Sequence, residues 1–488
     1  MAGAGAFQER KDLFVGGEWV PSQSSNTIEV IGAATEEPIG RVPDASRADI
    51  DRAVAAARRA FDSGPFPHWA PAERADAITR LSAALQKRGP EIAQTISQEN
   101  GCPAQQSLGV QVFAATMILG TFAELAKSYT WVDERPGALG NRVRVRRAPV
   151  GVCAAIIPWN VPLFVACMKI GPALAAGCSV VLKVSPETAL DGYLIAEAIA
   201  EAGLPPGVIN VVAAGRESSE YLVRHPDVDK VSFTGSTVTG GIVGGICGEQ
   251  IKRCTLELGG KSAAILLDDV DMGASLLQLI GSALLNNGQA CAAQTRILAP
   301  RARYREIVDT LAGAIGGMKV GDPLDPQTNV GPVVSRRQRD RIEGYLESGK
   351  QDGARAVCGG GRPKSLSRGW YIEPTVFADV TNDMKIAREE IFGPVIAVIP
   401  YDGEDDAVAI ANDSPYGLGG SVWSRDVEHA AEVGARMRTG CVSINSGSLL
   451  DFKSPFGGFK KSGIGRELGP EGLQAYIEYQ SIILPAKA

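Results

Sequence analysis

The segment around Cys291 contains the residue types that a nucleophilic thiol needs. It reads Asn-Asn-Gly-Gln-Ala-Cys-Ala-Ala-Gln-Thr-Arg over 286–296, so the cysteine stands between Ala290 and Ala292 and close to amide side chains. A thiolate requires polar, partly open surroundings, whereas an inert core cysteine usually has bulky aliphatic neighbours. The pattern therefore predicts a reactive cysteine. A small apolar filler is the alternative for any single cysteine.

Other nucleophilic or metal-binding patterns are scarce. The chain has three histidines, and none of them is close in sequence to another or to Cys291. No two of the nine cysteines stand in a C-x-x-C spacing. This argues against a multi-histidine metal site, a zinc ribbon and a disulfide framework, so we expect no metal. A cysteine–histidine pair could arise only through folding.

Charge and hydropathy exclude several classes of partner. With 49 basic and 55 acidic residues, the formal net charge of -6 leaves no cationic excess for nucleic acid. Residues 1–11 contain no apolar run of signal-peptide length. The most membrane-like segment, 161–182, is interrupted by Lys169 and Gly171-Pro172, so we expect a buried helix and then a buried strand. We expect a cytoplasmic protein that binds neither nucleic acid nor a membrane.

The elements that must position this chemistry follow an α/β rhythm. A chain of 488 residues should form two or three domains. Short apolar runs alternating with helical stretches predict a parallel sheet of the dinucleotide-binding kind, with strands at 152–157, 179–182, 208–212, 230–233 and 263–267. A second α/β region over 260–461 should contain strands at 370–372, 395–399 and 420–423. Helices are predicted over 45–63, 71–99 and 109–129, and exposed strands at 142–147 and within 472–485.

No predicted strand is followed by the G-x-G-x-x-G pattern of a standard dinucleotide-binding turn. Phe-Thr-Gly-Ser-Thr at 233–237, however, follows a strand and precedes a helix. Gly235 and Ser236 could there offer donors to a pyrophosphate at the helix start. The alternative is a serine N-cap after a tight turn.

Six separated stretches together resemble the aldehyde dehydrogenase superfamily over essentially the whole chain. They are Ile-Pro-Trp-Asn at 157–160, Phe-Thr-Gly-Ser-Thr at 233–237, Glu-Leu-Gly-Gly-Lys at 257–261, Gly-Gln-Ala-Cys at 288–291, Glu-Glu-Ile-Phe-Gly-Pro at 389–394 and Pro-Phe-Gly-Gly at 455–458. The resemblance implies an α/β fold of two Rossmann-like parallel-sheet domains plus a small β oligomerisation element. It implies an NAD(P)-binding domain over 1–130 and 150–259, a catalytic domain over 260–461, and an oligomerisation element over 131–149 and 462–488.

The resemblance also implies NAD(P)-dependent oxidation of an aldehyde to a carboxylic acid. Cys291 would add to the carbonyl, and the Asn160 amide with the Cys291 N–H would stabilise the oxyanion. Glu257 would be the general base that activates water against the resulting thioester, since a carboxylate in apolar surroundings can have a raised pKa. Lys169 resembles the lysine that pairs with this base. An outward-snorkelling lysine is the alternative.

The matching residues imply a cofactor site whose residues are Ile156, Ile157, Pro158, Trp159, Lys183, Pro186, Phe233, Gly235, Ser236, Leu258, Glu390 and Phe392. Lys183 resembles the lysine of the adenosine ribose, and Glu390 the carboxylate of the nicotinamide ribose. Pro186 stands where NAD-preferring relatives often have glutamate, with Glu187 one step later. The absent carboxylate weakens discrimination against a 2′-phosphate, so NAD is expected and NADP stays open.

The substrate pocket implied by the resemblance consists of Val161, Met168, Ala290, Ala292, Asn445 and Phe456. Its apolar character predicts a medium-chain or aromatic aldehyde. Two other functions stay open: a CoA-acylating enzyme, which typically lacks the glutamate seen as Glu257, and a non-catalytic binding protein on the same fold. The exposed strands at 142–147 and in the tail predict a homodimer or homotetramer.

Overall fold

The computed structural model describes residues 7–486, which form four sheets surrounded by helices. The strands are β1 Gln8–Glu9, β2 Asp12–Val15, β3 Glu18–Pro21, β4 Thr27–Ile31, β5 Pro38–Pro43, β6 Val132–Pro136, β7 Arg142–Pro149, β8 Val152–Ile156, β9 Ser179–Val184, β10 Ile209–Ala213, β11 Lys230–Thr234, β12 Arg253–Glu257, β13 Ala263–Leu266, β14 Arg296–Pro300, β15 Arg355–Cys358, β16 Thr375–Ala378, β17 Val395–Tyr401, β18 Gly419–Trp423, β19 Cys441–Ile444, β20 Gly463–Ile464 and β21 Ile477–Leu484. The helices are α1 Arg47–Asp62, α2 Pro71–Lys87, α3 Gly89–Asn100, α4 Ala104–Gln106, α5 Ala115–Ser128, α6 Pro162–Ala176, α7 Ala189–Ala202, α8 Arg216–Arg224, α9 Thr237–Glu249, α10 Met272–Leu284, α11 Tyr304–Gly316, α12 Arg336–Gln351, α13 Lys385–Arg388, α14 Glu404–Asn412, α15 Val427–Ala435 and α16 Gly469–Gln474.

The first large sheet has eight strands in the order β20-β12-β11-β8-β9-β10-β2-β3. Strands β12, β11, β8, β9 and β10 run parallel, and β8, β9 and β10 are buried along their whole length. Burial on both faces explains their continuous apolar runs. The chain passes from β8 to β9 and β10 on one side and then crosses to β11 and β12 on the other. This reversal opens a crevice at the carboxyl ends of β8 and β11, which is where α/β folds bind ligands.

The second large sheet has seven strands in the order β15-β16-β17-β14-β13-β18-β19, all parallel except β15. The apolar run at 263–267 is β13 and lies inside this sheet. The two parallel-sheet bodies confirm the predicted fold class. The predicted strand at 370–372 is wrong: the Trp370 N–H donates to the Ala33 carbonyl, and the Trp370 carbonyl accepts from Val333. This segment bonds two separate loops, and the strand begins later, at Thr375.

A smaller sheet joins β6 and β7 to the tail strand in the order β21-β7-β6. β7 contains the alternating basic segment, and β21 pairs with it antiparallel from Ile477 to Leu484. The segment 462–488 is nevertheless divided. Gly463–Ile464 forms β20 at the edge of the first sheet, and α16 packs on α5 and α6. The other domain limits stay predictions.

Local residue chemistry sets the helix limits. The single helical tract predicted over 71–99 is two helices, because Gly89-Pro90 begins a new one after Lys87. Segment 161–182 forms a wholly buried helix, α6, and then the buried strand β9, as predicted. Gly177, with φ 93°, ends α6 in the left-handed conformation that favours glycine.

A π-helical stretch, Ser107–Ala114, joins α4 to α5, so one continuous helix runs from Ala104 to Ser128. By length and composition alone this helix is able to cross a membrane. In the fold it packs on α2 and α6, and 44% of its 18-residue apolar window is buried. Its exposed side carries Leu108, Phe113 and Met117.

Candidate active site

Cys291 follows a constrained turn between α10 and β14. Asn286, Asn287 and Gly288 have left-handed φ values of 50°, 59° and 74°. A Cβ on Gly288 would collide with the carbonyl oxygen of Gly393, so only glycine fits there. The Cys291 thiol is free and half-buried. Burial raises the pKa of Cys291 to about 12, and the charges of Glu390 and Glu257 act in the same direction.

Asn160 lies in the loop after β8 and is 4% exposed. Its Nδ2 donates to the carbonyl oxygen of Gln289 at 2.8 Å, two residues before the thiol. Because a primary amide carries two N–H donors, this bond fixes which end of the amide faces the thiol turn, and the second N–H has no hydrogen-bond partner among residues 7–486. The loop after the first sheet is thereby tied to the turn that carries Cys291.

Glu257 is the last residue of β12 and is 3% exposed. Within residues 7–486, neither of its carboxyl oxygens has a hydrogen-bond partner. Burial raises the pKa of Glu257 well above its ordinary value. The charge of Glu467 raises it further, and the charge of Lys169 lowers it. The raised pKa makes the carboxylate form of Glu257 a stronger base than an ordinary glutamate.

Lys169 is fully buried, so the outward-snorkelling alternative is wrong. Its Nζ lies 2.6 Å from Glu467 Oε1 and also donates to Ser232 Oγ at 3.0 Å. The direct partner of Lys169 is thus Glu467, and Lys169 acts on Glu257 only through its charge. Sequence reasoning missed Glu467, because it lies outside all the matching stretches and reaches the site only when residues 456 and 467 pair backbone to backbone.

Two residues of the second body, Glu390 and Phe392, reach toward the first. Glu390 Oε1 accepts the Gly260 N–H at 3.0 Å, and burial raises the pKa of Glu390 to about 7. Phe392 has φ 63°, and its ring meets Trp159 edge-on with centroids 5.3 Å apart. Glu390 therefore lies beside the Gly-Gly turn that follows β12, and Phe392 beside the loop that follows β8.

The carboxyl edge of the first sheet gathers the remaining predicted cofactor residues. Ile156 ends β8, and the Ile157 N–H donates to the Lys183 carbonyl at 3.2 Å. Lys183 is 7% exposed, and burial lowers its pKa to about 8. Pro158 is half-buried in the loop after β8, whereas Pro186 begins a short 3-10 turn after β9.

The β11–α9 junction contains the predicted pyrophosphate segment. Phe233 and Leu258 are buried beside it, and the Gly235 N–H donates to the Glu257 carbonyl at 3.0 Å. Ser236 Oγ accepts the Thr239 N–H at 3.2 Å, so the serine is the N-cap of α9. The capping alternative is correct for this hydroxyl. The N-terminus of α9 still lies at the carboxyl end of β11.

Several half-buried apolar side chains pack against the same core as the thiol. Val161, Ala292, Leu450, Phe452 and Cys291 all contact the buried core of the first body. Phe452 also faces Phe164, with ring centroids 6.4 Å apart. Phe164, Leu450 and Phe452 were not predicted. The apolar pair of Leu450 and Phe452 in an otherwise polar stretch was the available signal.

The other predicted pocket residues are placed differently. Met168 and Phe456 are 2% and 6% exposed and belong to the core itself, and Ala290 is half-buried. The Asn445 side chain accepts the Ser424 N–H at 2.9 Å and donates to the Ser424 carbonyl at 2.6 Å. The Asn445 amide thus links the end of β19 to the end of β18.

Known proteins share both the sequence and the fold. The pattern that defines the aldehyde dehydrogenase family matches residues 19–482. Geranial dehydrogenase of Castellaniella defragrans is 50% identical over 98% of this chain and 99% of its own. An aldehyde dehydrogenase of Mycobacterium tuberculosis, solved with NAD+, has a TM-score of 0.97 and 48% identity over 99% of this chain and all of its own.

A mutant of aldehyde dehydrogenase C from Pseudomonas syringae, solved with NAD+ and octanal, has a TM-score of 0.93. It is 41% identical, over 97% of this chain and 96% of its own. These similarities extend through both parallel-sheet bodies and the small β sheet. The chain therefore belongs to the aldehyde dehydrogenase family and is an oxidoreductase that acts on an aldehyde group.

Proposed function

We propose that this protein oxidises an apolar aldehyde to the carboxylic acid with NAD+, and that Cys291 carries the acyl group. The observation that carries the proposal is the bond from Asn160 Nδ2 to the Gln289 carbonyl at 2.8 Å. An amide donor thus lies beside the turn of Cys291, a half-buried cysteine whose pKa is raised by burial and by the charges of Glu390 and Glu257.

The Cys291 sulfur adds to the aldehyde carbon and gives a thiohemiacetal. With a pKa of about 12, the thiol must pass its proton to a water molecule as the carbon–sulfur bond forms. Negative charge then develops on the former carbonyl oxygen. The free N–H of Asn160 and the Cys291 backbone N–H are donors for that oxyanion, and such preorganised donors are worth about 100- to 1000-fold in kcat.

The groups at the carboxyl edge fit a dinucleotide. Lys183 supplies a buried cation, and α9 directs its N-terminus toward the crevice. Within the described residues, the buried Thr234 hydroxyl oxygen has no hydrogen-bond partner. Glu390 would hold the nicotinamide ribose. NAD+, when bound, supplies the hydride acceptor that turns the thiohemiacetal into a thioester.

Water completes the reaction by releasing the acid and restoring the Cys291 thiol. Glu257 takes a proton from that water, because its raised pKa makes the carboxylate a stronger base than an ordinary glutamate. The buried Lys169–Glu467 ion pair also affects the pKa of Glu257, because the Glu467 charge raises it and the Lys169 charge lowers it. A glutamate in this role favours hydrolysis over transfer of the acyl group to CoA.

The substrate is expected to be an uncharged aldehyde with an aliphatic or aromatic tail. Val161, Leu450 and Phe452 pack against the same core as Cys291, and the Phe452 ring faces Phe164, so these four side chains are the candidate apolar walls of the substrate pocket. The names of two relatives agree with this, since one is a geranial dehydrogenase and the other was solved with octanal. NAD is the expected cofactor, as in the Mycobacterium tuberculosis structure.

An aldehyde panel tests the proposal. Octanal, geranial, benzaldehyde and succinic semialdehyde are each assayed with NAD+ and NADP+ by absorbance of the reduced cofactor, and the acid product is identified by mass spectrometry. Cys291→Ala should abolish turnover, whereas Cys358→Ala, at a half-buried cysteine of the β15 edge, should not. Turnover that survives Cys291→Ala, or that requires CoA, would overturn the proposal.

A further inference from the structure

Three side-chain amides converge on one backbone carbonyl in the active-site loop. The Asn160 carbonyl oxygen accepts from Asn286 Nδ2 at 2.8 Å, Asn100 Nδ2 at 2.9 Å and Gln111 Nε2 at 3.2 Å. All three donor side chains are at most 1% exposed. A carbonyl oxygen has two lone pairs, so three buried donors are more than hydrogen-bond satisfaction requires. The convergence fixes the orientation of this one peptide.

The donors come from separate parts of the chain. Asn100 is the last residue of α3, Gln111 lies in the π-helical stretch, and Asn286 lies in the left-handed turn before the thiol. Asn286 donates to Asn160, and the Asn160 side chain donates to Gln289. The loop after β8 and the turn before Cys291 are therefore held together by two hydrogen bonds, one donated from each side.

Gln111 explains the irregular helix. Its Nε2 binds the Asn160 carbonyl, and its Oε1 accepts the Phe164 N–H at 3.4 Å. Phe164 is in the first turn of α6, where backbone N–H groups lack helical partners. One side chain therefore spans the segment from Asn160 to the start of α6. π-helical turns are costly and concentrate at functional sites, and here the wider turn points Gln111 inward.

We propose that Gln111 is a positioning residue for the oxidation: it holds the Asn160 peptide so that the free side-chain N–H is aimed at the oxyanion on the Cys291 thiohemiacetal. This inference rests on the proposed function. Gln111 acts through the Asn160 peptide, because its side chain is 1% exposed and bonds to Asn160 and Phe164. Its removal takes one bond from the loop between β8 and α6 and one from the first turn of α6, and the donor of Asn160 then loses its alignment.

The test is a double-mutant cycle read out by the burst of NADH formation with octanal at saturating NAD+. Gln111→Ala should lower the burst rate about 10-fold, a fraction of the value of an oxyanion donor. Its KM for NAD+ should stay within about twofold, because the hydrogen bonds of the Gln111 side chain go to Asn160 and Phe164 and not to Lys183, Glu390 or the start of α9. In the Asn160→Ala background, adding Gln111→Ala should change the burst rate less than twofold.

Two further variants separate positioning from folding. Gln105→Ala removes an exposed glutamine of the same helix and should behave as the wild type. Gln111→Met keeps the side-chain volume in the core but removes both polar contacts, so it should reproduce the loss even if the alanine variant folds poorly. Thermal unfolding and NAD+ binding of each variant are measured beside the kinetics.

The outcomes are distinguishable. The same fold-loss from Gln111→Ala in both backgrounds, or wild-type kinetics in the Gln111→Met variant, would overturn the positioning role and leave the proposed function intact. A wild-type burst rate for Asn160→Ala alone would overturn the oxyanion assignment, and the role of Gln111 with it.

Discussion

Glu257 is the residue on which hydrolysis is expected to depend. Glu257→Gln keeps the shape of the side chain but cannot accept a proton, so octanal oxidation should form the thioester and then stall. We expect a normal burst of NADH followed by steady-state turnover lowered about 100-fold or more. Intact-mass spectrometry should find the octanoyl adduct on Cys291.

The exposed Glu432→Gln variant is the control and should turn over normally. Undiminished steady-state turnover in Glu257→Gln would show that another group activates the water.

The pH dependence of hydrolysis should reveal the buried pair behind Glu257. The base works only when deprotonated, and its pKa is raised, so kcat should fall as pH decreases through a value well above the ordinary pKa of a glutamate. Lys169 lowers this pKa and Glu467 raises it. Lys169→Met should move the acidic limb of the kcat profile to higher pH, and Glu467→Gln should move it to lower pH.

Profiles of kcat against pH between 5 and 9 for both variants test the direction in which the acidic limb moves. Circular dichroism verifies that both variants fold. Shifts in the same direction in both variants would contradict the electrostatic role.

Single residues also mark where sequence reasoning ends. Cys291, Asn160 and Glu257 stand in short stretches that can be recognised without a structure. Glu467 stands in none, and only tertiary pairing of residues 456 and 467 brings it next to Lys169. Gln111 was equally invisible, since its meaning depends on a change of helical pitch that no hydrophobic pattern encodes.

At the scale of elements, the turn that precedes the thiol is the most constrained feature. Gly288→Ala would put a Cβ on a residue with φ 74°, a conformation that is strained for alanine. The same Cβ would also collide with the Gly393 backbone, which cannot move aside as a flexible side chain could. We expect the variant to lose about 2 kcal/mol or more of stability, with a lower melting temperature and little activity.

Gly281→Ala in the neighbouring helix α10 is the matched control. A Cβ there meets open space, so helix propensity should make this variant about 0.5–1 kcal/mol more stable. Equal melting temperatures for the two variants would show that the turn relaxes more easily than its geometry indicates.

Elements were predictable where a single physical pattern dominates. β8 to β10 are buried on both faces and therefore appear as apolar runs. The segment at 370–372 is likewise buried and consists of residues that favour strands, yet the backbone groups of Trp370 bond to Ala33 and Val333 in two separate loops. Composition cannot distinguish those partners from a neighbouring strand, because both require an extended chain.

At the scale of the whole molecule, the site belongs to neither sheet alone. Glu257 ends a strand of the first sheet, whereas Cys291 precedes β14 of the second. The hydrogen bond from Asn160 to Gln289 joins the loop after β8 of the first sheet to the turn that carries Cys291. The two-body fold could be predicted from alternating strands and helices, but the distance between the bodies could not. A cytoplasmic location stays a prediction.

The small sheet β21-β7-β6 leads to the last prediction, a homodimer or homotetramer. β21 is an edge strand, and it leaves Tyr479, Ile482 and Ile483 52%, 36% and 71% exposed. An edge that combines unpaired backbone groups with apolar side chains favours pairing with another subunit. Light scattering at micromolar concentration should therefore give two or four times the 51.2 kDa chain mass.

Ile483→Glu should reduce that mass, because a carboxylate in an apolar contact is costly to bury. Val427→Glu places the same charge at an exposed valine in the first turn of α15, where the helix dipole favours it, and should leave the mass unchanged. Activity in a reduced-mass Ile483→Glu protein would show that each chain holds a complete site, as expected if Asn160, Glu257 and Cys291 of one chain act together. A wild-type chain that scatters as a monomer would instead mean that this apolar edge is tolerated in water.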